Sequence, residues 1–379
     1  MKEKWQAVIQ SKESINMDSR KRFPHIDLIE TIAIIFVVFV HSPLYQLDFL
    51  DTDINKHCVN LYYCRYFIRT IFSTCVPLFF FANGYLLFSK PYNSAKHFKR
   101  TTRIVLLPIF GLILHPIYMV IAGQKIDWKL IIIDWLNLTT EWTMNVFWFA
   151  GALACVYFLF PALKSLYDND NKVFVKLIIV IFTGTFGIKL CNILLFLINN
   201  IIGFPVDSVN YPIIEMYIPF RPYGYSFVFF CLGGIAYRYE DTIRIISKTK
   251  RNVFAYISMF TACLLLFGIG VLLSDFIGSR WDVVWEGYDT IPTLVNVIAI
   301  YLFSLNYTSN NKIIEFISKN TLGIYLLHYL VIRLTRPFIK SIPIFQNIPA
   351  NILYSILVVL ACVAIIEGLR QLPKLIKLT

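Results

Sequence analysis

Charge is scarce in this sequence. Asp, Glu, Lys and Arg together supply 15% of its 379 residues, against about 25% in a soluble globular domain. The residues AVILMFWYC supply 57%. That balance excludes a disordered chain and a water-soluble fold with an ordinary core. It leaves an all-α, polytopic membrane protein with nearly every residue in or near a span. Acids are the rarer sign, 23 against 35 basic residues, so the net charge is +12. Nucleic acid is not the partner this implies. The basic residues sit in short loops between apolar runs, as cytoplasmic loops require.

Several motifs are missing as well. No phosphate-binding glycine loop appears, so nothing points to an ATP-driven pump. No Gly-x-Ser-x-Gly elbow appears, which argues against a serine hydrolase. No Cys/His cluster has zinc spacing, so no metal is expected. The first 25 residues hold no apolar run, so no cleavable signal is expected. There is no tandem repeat, low-complexity tract or long linker. The chain therefore reads as a basic cytoplasmic segment (1–25), one membrane domain (26–371) and a cytoplasmic tail (372–379). Of the eight cysteines, six lie in or near apolar runs, where cysteine is a small packing residue. Cys58 and Cys64 share one loop and are either free or paired outside the membrane.

What is abundant is apolar length. A span takes about 20 residues, and ten fit: 27–46, 66–88, 103–122, 145–163, 174–201, 223–239, 252–273, 290–306, 321–339 and 351–369. The stretch Trp128–Leu138 is shorter and amphipathic, which suits the interface. Lys and Arg test the orientation. The segments on the side of the N-terminus carry 24 of them and the opposite loops 8, with Arg69, Lys189 and Arg333 inside spans. This bias predicts both termini in the cytoplasm.

Ionisable groups inside spans cost about 2.5–3.5 kcal/mol each on insertion scales, so they need a reason. The first span holds Glu30 and His41. Eleven residues return to within about 20° of the start and rise about 16 Å, so both lie on one helical face. That face must meet the bundle or a polar cavity. His41, followed by Ser42-Pro43, is either a general base or an interfacial histidine bonded to a loop. Asn83-Gly84 in the second span permits either a helix break or close helix approach. Lys99, Arg100 and Arg103 follow in a loop without acids. Arg100 and Arg103 are one turn apart, a spacing that suits phosphates, although anionic lipid or plain topology also accounts for it. In the ninth span Tyr325 and His328 share a face, either toward a substrate or a partner helix. His115-Pro116 and Lys189 are further polar intruders with less context.

In order along the chain these residues resemble the integral-membrane acyltransferase family 3. Ile26-Asp27-Leu28-Ile29-Glu30 leads to His41. Phe79-Phe80-Phe81-Ala82-Asn83-Gly84-Tyr85-Leu86-Leu87 is similar to the family's phenylalanines and Ser-Gly-Tyr-Leu. Arg100-Thr101-Thr102-Arg103 matches its Arg-x-x-Arg, Trp148-Phe149 to Pro161 its Trp-Phe and proline, and Tyr325-Leu326-Leu327-His328 its Tyr-Leu-x-His. The likeness covers nearly the whole chain. It departs twice: Glu30 stands where the family has arginine, and Asn83 where it has serine.

The resemblance implies an O-acyltransferase of the cell membrane. It would take an acyl group, commonly acetyl, from acyl-CoA on the cytoplasmic side. The acceptor would be a hydroxyl of a surface polysaccharide or its lipid-linked precursor. It implies His41 as general base or transient acyl carrier, with Glu30 and His328 beside it as catalytic candidates. Lys99, Arg100 and Arg103 would hold the CoA phosphates. Asn83, Tyr85, Trp148 and Tyr325 would line the substrate pocket. No hydrolase-like extracellular domain accompanies the spans, so either this chain completes transfer or a separate extracellular partner does. The competing reading is a polytopic exporter of a surface glycan or its precursor.

Overall fold

A computed structural model describes residues 22–42, 59–121, 123–135, 147–204, 209, 223–340, 342 and 347–376. Among them all regular structure is helical and no strand occurs. Because Cys58 and residues 136–138 lie outside this set, so do the Cys58–Cys64 pairing and the end of the Trp128–Leu138 stretch.

The first helix, α1 (Pro24–Val40), opens with proline in its first turn and Asp27 near its positive end, two features that favour a helix start. It ends three residues before Pro43. His41 therefore caps the helix rather than lying within it. The expected second span is two helices, α2 (Val59–Phe72) and α3 (Cys75–Phe88). Ser73 and Thr74 turn the chain between them, and the Ser73 hydroxyl lies 2.7 Å from that of Thr293. Next come α4 (Ser94–Val105), α5 (Ile109–Ile121) and the short α6 (Trp128–Trp135). Asn93 caps α4 by accepting from the Lys96 amide at 2.9 Å, as short polar side chains do at this position.

The second half contains α7 (Trp148–Asn169), α8 (Asn171–Phe182) and α9 (Ile188–Ile201), the last two joined by a π turn at Thr183–Gly187. Then follow α10 (Gly224–Ile245), α11 (Lys248–Ile277), α12 (Ile291–Ser304), α13 (Lys312–Lys340) and α14 (Ile348–Ile376). Helix α14 runs through Ile376, so the expected tail from 372 is helical over most of its length.

Among the described residues the ten expected segments are mostly helical, with turns at 41–42, 73–74, 106–108 and 305–306, while 43–46, 122 and 145–146 lie outside the described residues. Six stretches among the described residues are long and apolar enough to cross a bilayer: Tyr63–Phe88, Trp148–Asn169, Asn171–Ile201, Lys248–Ile277, Lys312–Ile339 and Ile348–Gln371. The helices α1 and α12, of 17 and 14 residues, are shorter than the roughly 20 residues of a full crossing. The last two turns of α10 carry Arg238, Glu240, Asp241 and Arg244.

The tightest packing in the core joins α3 to α10. An ideal Cβ on Gly84 would lie 1.8 Å from the Phe230 carbonyl oxygen, and one on Gly233 would lie 2.1 Å from that of Phe81. The two backbones touch where glycine removes the side chain, the close approach that small residues permit in membranes. Helix α3 continues unbroken through Asn83-Gly84. This decides between the break and the close approach in favour of the latter.

Neighbouring pairs fix the directions of the helices. Phe80 meets Tyr225 while Phe88 meets Phe230, so α3 and α10 run the same way. Phe80 meets Phe149 while Phe88 meets Phe160, so α7 runs with them. His25 meets Tyr85 while Phe39 stacks on Phe72, so α1 runs opposite to the α2–α3 rod. Glu30 meets Ser318 while His41 meets His328, so α1 and α13 are parallel. One end of this bundle gathers the ion pairs Arg22–Asp27, Lys164–Asp168 and Arg244–Glu240. The other end carries His41, Trp148 and Trp285.

Candidate active site

At the second end lies a cavity of about 320 Å³, at the small end of the range for ligand pockets. Its walls are Val37, Val40, His41, Cys75, Val76, Trp148, Trp285, Tyr288, Tyr325 and Tyr329. Four helices and one connecting segment build it. Helix α1 delivers His41 from its C-cap, α3 delivers Cys75 and Val76 from its first turn, and α7 delivers Trp148 from its start. Helix α13 supplies Tyr325 and Tyr329 four residues apart, on one face. The segment between α11 and α12 supplies Trp285 and Tyr288.

His41 is the polar centre of this wall. Its ring lies 5.5 Å from Trp285, 5.4 Å from Tyr329 and 5.3 Å from His328, centroid to centroid. His328 does not line the cavity and is fully buried behind His41. Its Nδ1 lies 2.6 Å from the Tyr325 carbonyl oxygen. Tyr325 packs on Phe149 at 5.1 Å. Trp148 lies nearly parallel to two tyrosine rings, Tyr223 at 5.1 Å and Tyr288 at 6.2 Å. The Tyr288 hydroxyl lies 3.5 Å from the Cys75 sulfur. The site thus offers one imidazole in an aromatic chamber, a group that can take up a proton beside rings that can pack against a flat ligand.

The remaining candidates lie elsewhere. Glu30 stands at the opposite end of α1, where it accepts from the Ser318 hydroxyl at 2.5 Å. The same hydroxyl lies 2.9 Å from Asp27, and Arg22 holds Asp27 with two bonds of 2.6 and 3.0 Å. Arg22 and Lys90 both act electrostatically on Glu30. The carboxyl that stands in place of the family arginine thus lies beside Asp27, with Arg22 and Lys90 within electrostatic reach. Desolvation, Arg100 and Arg22 together draw the Lys90 ammonium below its usual range, and Glu30 opposes them. Asn83 accepts from the Tyr157 hydroxyl at 3.0 Å and donates to the Phe79 carbonyl at 2.9 Å. Arg100 acts on that same Tyr157.

Tyr85 is buried away from the cavity. It donates to Glu240, which also lies 3.3 Å from His25 and 2.7 Å from Arg244. Lys99, Arg100 and Arg103 are exposed on α4. The buried face of that helix, His97, Thr101 and Ile104, docks on α7, with the His97 Nε2 2.8 Å from the Tyr157 carbonyl.

The structure therefore brings His41, His328, Trp148 and Tyr325 together. Asn83 and Arg100 converge on Tyr157 near the other end, where Glu30 and Asp27 share the Ser318 hydroxyl. Sequence reasoning did not single out Cys75, Trp285, Tyr288 or Tyr329. Aromatics between two spans read equally well as an interfacial belt. It also passed over His25 and Glu240, which pair across the chain from one another. Lys189 and Arg333 have structural partners. Lys189 lies 3.5 Å from Glu286, and Arg333 covers the Tyr118 ring at 4.3 Å. Among the described residues no group of three or more His, Cys, Asp or Glu could hold a metal.

The family model described as an acyltransferase domain, that of acyltransferase family 3, matches residues 23–367. The chain belongs to this acyltransferase family. Searches of curated proteins and of solved structures returned no match. The matched segment of this acyltransferase begins at Phe23, runs through His41 and the His328 behind it and ends within α14.

Proposed function

We propose that this membrane acyltransferase moves an acyl group, acetyl in the simplest case, from acyl-CoA to a hydroxyl of a cell-surface polysaccharide or its lipid-linked precursor. The observation that carries this reading is His41, set in the wall of an aromatic chamber in a chain of this family. We place it in the plasma membrane with ten spans (domain 26–371) and both termini in the cytoplasm. The helix directions support that count. Helix α1 is parallel to α13 and opposite to the α2–α3 rod, while α3, α7 and α10 agree, as the first, ninth, second, fourth and sixth of ten alternating spans must. The basic end of the bundle is then the cytoplasmic one.

In this reading Lys99, Arg100 and Arg103 hold the phosphates of CoA at the cytoplasmic mouth, where exposed guanidinium and ammonium groups suit them. Glu30 keeps Arg22 and Lys90 oriented beside that mouth. The chamber lies about 16 Å away along α1, a gap that the extended pantetheine arm would span. His41 takes the proton of the acceptor hydroxyl. The oxygen attacks the thioester carbonyl, the C–S bond breaks, and the CoA thiolate leaves and is reprotonated. Proton transfer by a positioned group of this kind contributes about 10²–10⁴-fold. Trp148 and Tyr325 form the walls against which a sugar ring stacks. Asn83 and Tyr85 stabilise the helices around the donor path. Either this chain completes the transfer, or a separate extracellular partner receives the acyl group.

The test is base-labile ester on surface glycans in a deletion strain, in the deletion with wild type restored, and in the deletion with His41→Ala. Ester should return with wild type and not with His41→Ala at equal protein level. Ester unchanged across all three strains would refute the reading.

A further inference from the structure

His328 poses a hydrogen-bond problem. It is fully buried, yet its Nε2 has no partner. Its other nitrogen settles the tautomer. Nδ1 lies 2.6 Å from the Tyr325 carbonyl oxygen, and a carbonyl only accepts, so Nδ1 carries the hydrogen. In the neutral ring Nε2 is then a bare lone pair, an acceptor buried without a donor, which is costly unless something meets it.

The nearest ionisable ring is His41. The two centroids are 5.3 Å apart and the rings are tilted by 45°. That spacing leaves about one hydrogen-bond length, roughly 3 Å, between facing ring nitrogens. His41 caps α1 and borders open cavity space, so its ring has room to turn and close the contact.

We propose that His328 is a positioning residue that accepts an N–H hydrogen bond from His41 and thereby leaves the other His41 nitrogen unprotonated toward the cavity. This rests on the reading of His41 as the base and adds the device that fixes its tautomer. Tyr325 begins the relay with its carbonyl, His328 passes it on, and His41 ends it with a lone pair facing the acceptor hydroxyl. A histidine base held in one tautomer by a second group is a general arrangement, and loss of the orienting partner costs up to about 10⁴-fold.

The two amide substitutions separate the roles of the two His328 nitrogens. Asn places its amide near the Nδ1 position and preserves the bond to Tyr325, but leaves nothing at Nε2. Gln reaches the Nε2 position with an oxygen that can accept. The experiment compares acyl transfer by His328→Gln and His328→Asn in detergent-purified full-length protein, with thermal unfolding as the folding control. His328→Gln should remain within about tenfold of wild type, and His328→Asn should lose about 10²-fold or more. Equal activity of the two variants, high or low, would overturn the proposal.

A readout independent of activity keeps this separate from the functional reading. In protein with ¹⁵N-labelled histidine rings, the His41 resonances, assigned through His41→Ala, should show one fixed tautomer in wild type. They should show exchange between tautomers in His328→Asn. His41 spectra identical in the two proteins would overturn the relay even if the acyltransferase reading stands. Fixed-tautomer spectra in a wild type that transfers no acyl group would leave the relay standing and remove the reaction.

Discussion

The Lys189 ammonium lies 3.5 Å from the Glu286 carboxylate and 3.9 Å from that of Asp289, with the Trp281 ring 5.9 Å away. It is a buried lysine on α9 tied to the segment between α11 and α12. Glu286 directly follows Trp285, and Asp289 directly follows Tyr288. A cation inside a span thus anchors two walls of the chamber from outside it.

Lys189→Met should therefore loosen that segment without touching the chamber directly. The apparent KM for the acceptor should rise about three- to tenfold, the effect expected when a contact worth about 1 kcal/mol is lost. The KM for acyl-CoA should not move. Initial-rate kinetics with each substrate varied in turn would check this, and equal rises in both would refute the link.

Gly84 offers a contrast in stability. A Cβ there would lie 1.8 Å from a backbone oxygen of α10, which cannot swing aside, while at Gly151 it would meet nothing within 4 Å. Gly84→Ala should cost about 1–3 kcal/mol or more through overpacking. Gly151→Ala should be neutral or slightly stabilising, since alanine is the better helix former. Thermal unfolding of the two variants in one detergent makes the comparison. Equal midpoints would mean that the α3–α10 contact is looser than described.

The helices were legible because hydropathy and basic-loop bias act over whole spans. Glu30 and His41 were legible as a shared face because the 3.6-residue repeat is local. Both ends of that face meet α13, at Ser318 and at His328. The partners themselves were not legible. Nothing near Tyr85 in the chain indicates that its hydroxyl is committed to Glu240, 155 residues away. The split between Asn83 at one end and Trp148 at the other depends on where along its span each residue sits. Sequence gives that depth only to within a turn or two. Trp285 and Tyr288 became chamber walls through the Lys189 anchor, a contact between segments almost a hundred residues apart.

His97 carries a pH prediction. Burial and the nearby Arg100 lower its pKa from 6.5, and its bond to the Tyr157 carbonyl opposes this without reversing it. The folded protein therefore binds this proton less readily than the unfolded chain. Docking of α4 is at full strength above the unfolded value and weakens as pH falls through 6.5 toward the folded value. Amide exchange over Ser94–Val105 should speed up between pH 7.5 and pH 5.5 relative to the exchange expected from pH alone. In His97→Gln that extra change should disappear. A wild-type profile identical to that of His97→Gln would exclude the histidine as its source.

The α4 cations separate a donor site from a lipid contact. Lys99, Arg100 and Arg103 are exposed, so their attraction for anions is screened over about 8 Å at physiological salt. A double Arg100→Ala, Arg103→Ala variant should raise the KM for acyl-CoA about tenfold at low salt, with the gap from wild type narrowing as salt rises. An acyl-pantetheine donor, which carries the reacting end but not the nucleotide phosphates, should show little difference between the two proteins. Nanodiscs of zwitterionic and of anionic lipid provide the control. If the arginines serve lipid headgroups, the variant will lose its dependence on anionic lipid and keep its KM for acyl-CoA. If they hold the donor, the KM will change in both lipids, and it will change for acyl-CoA far more than for acyl-pantetheine.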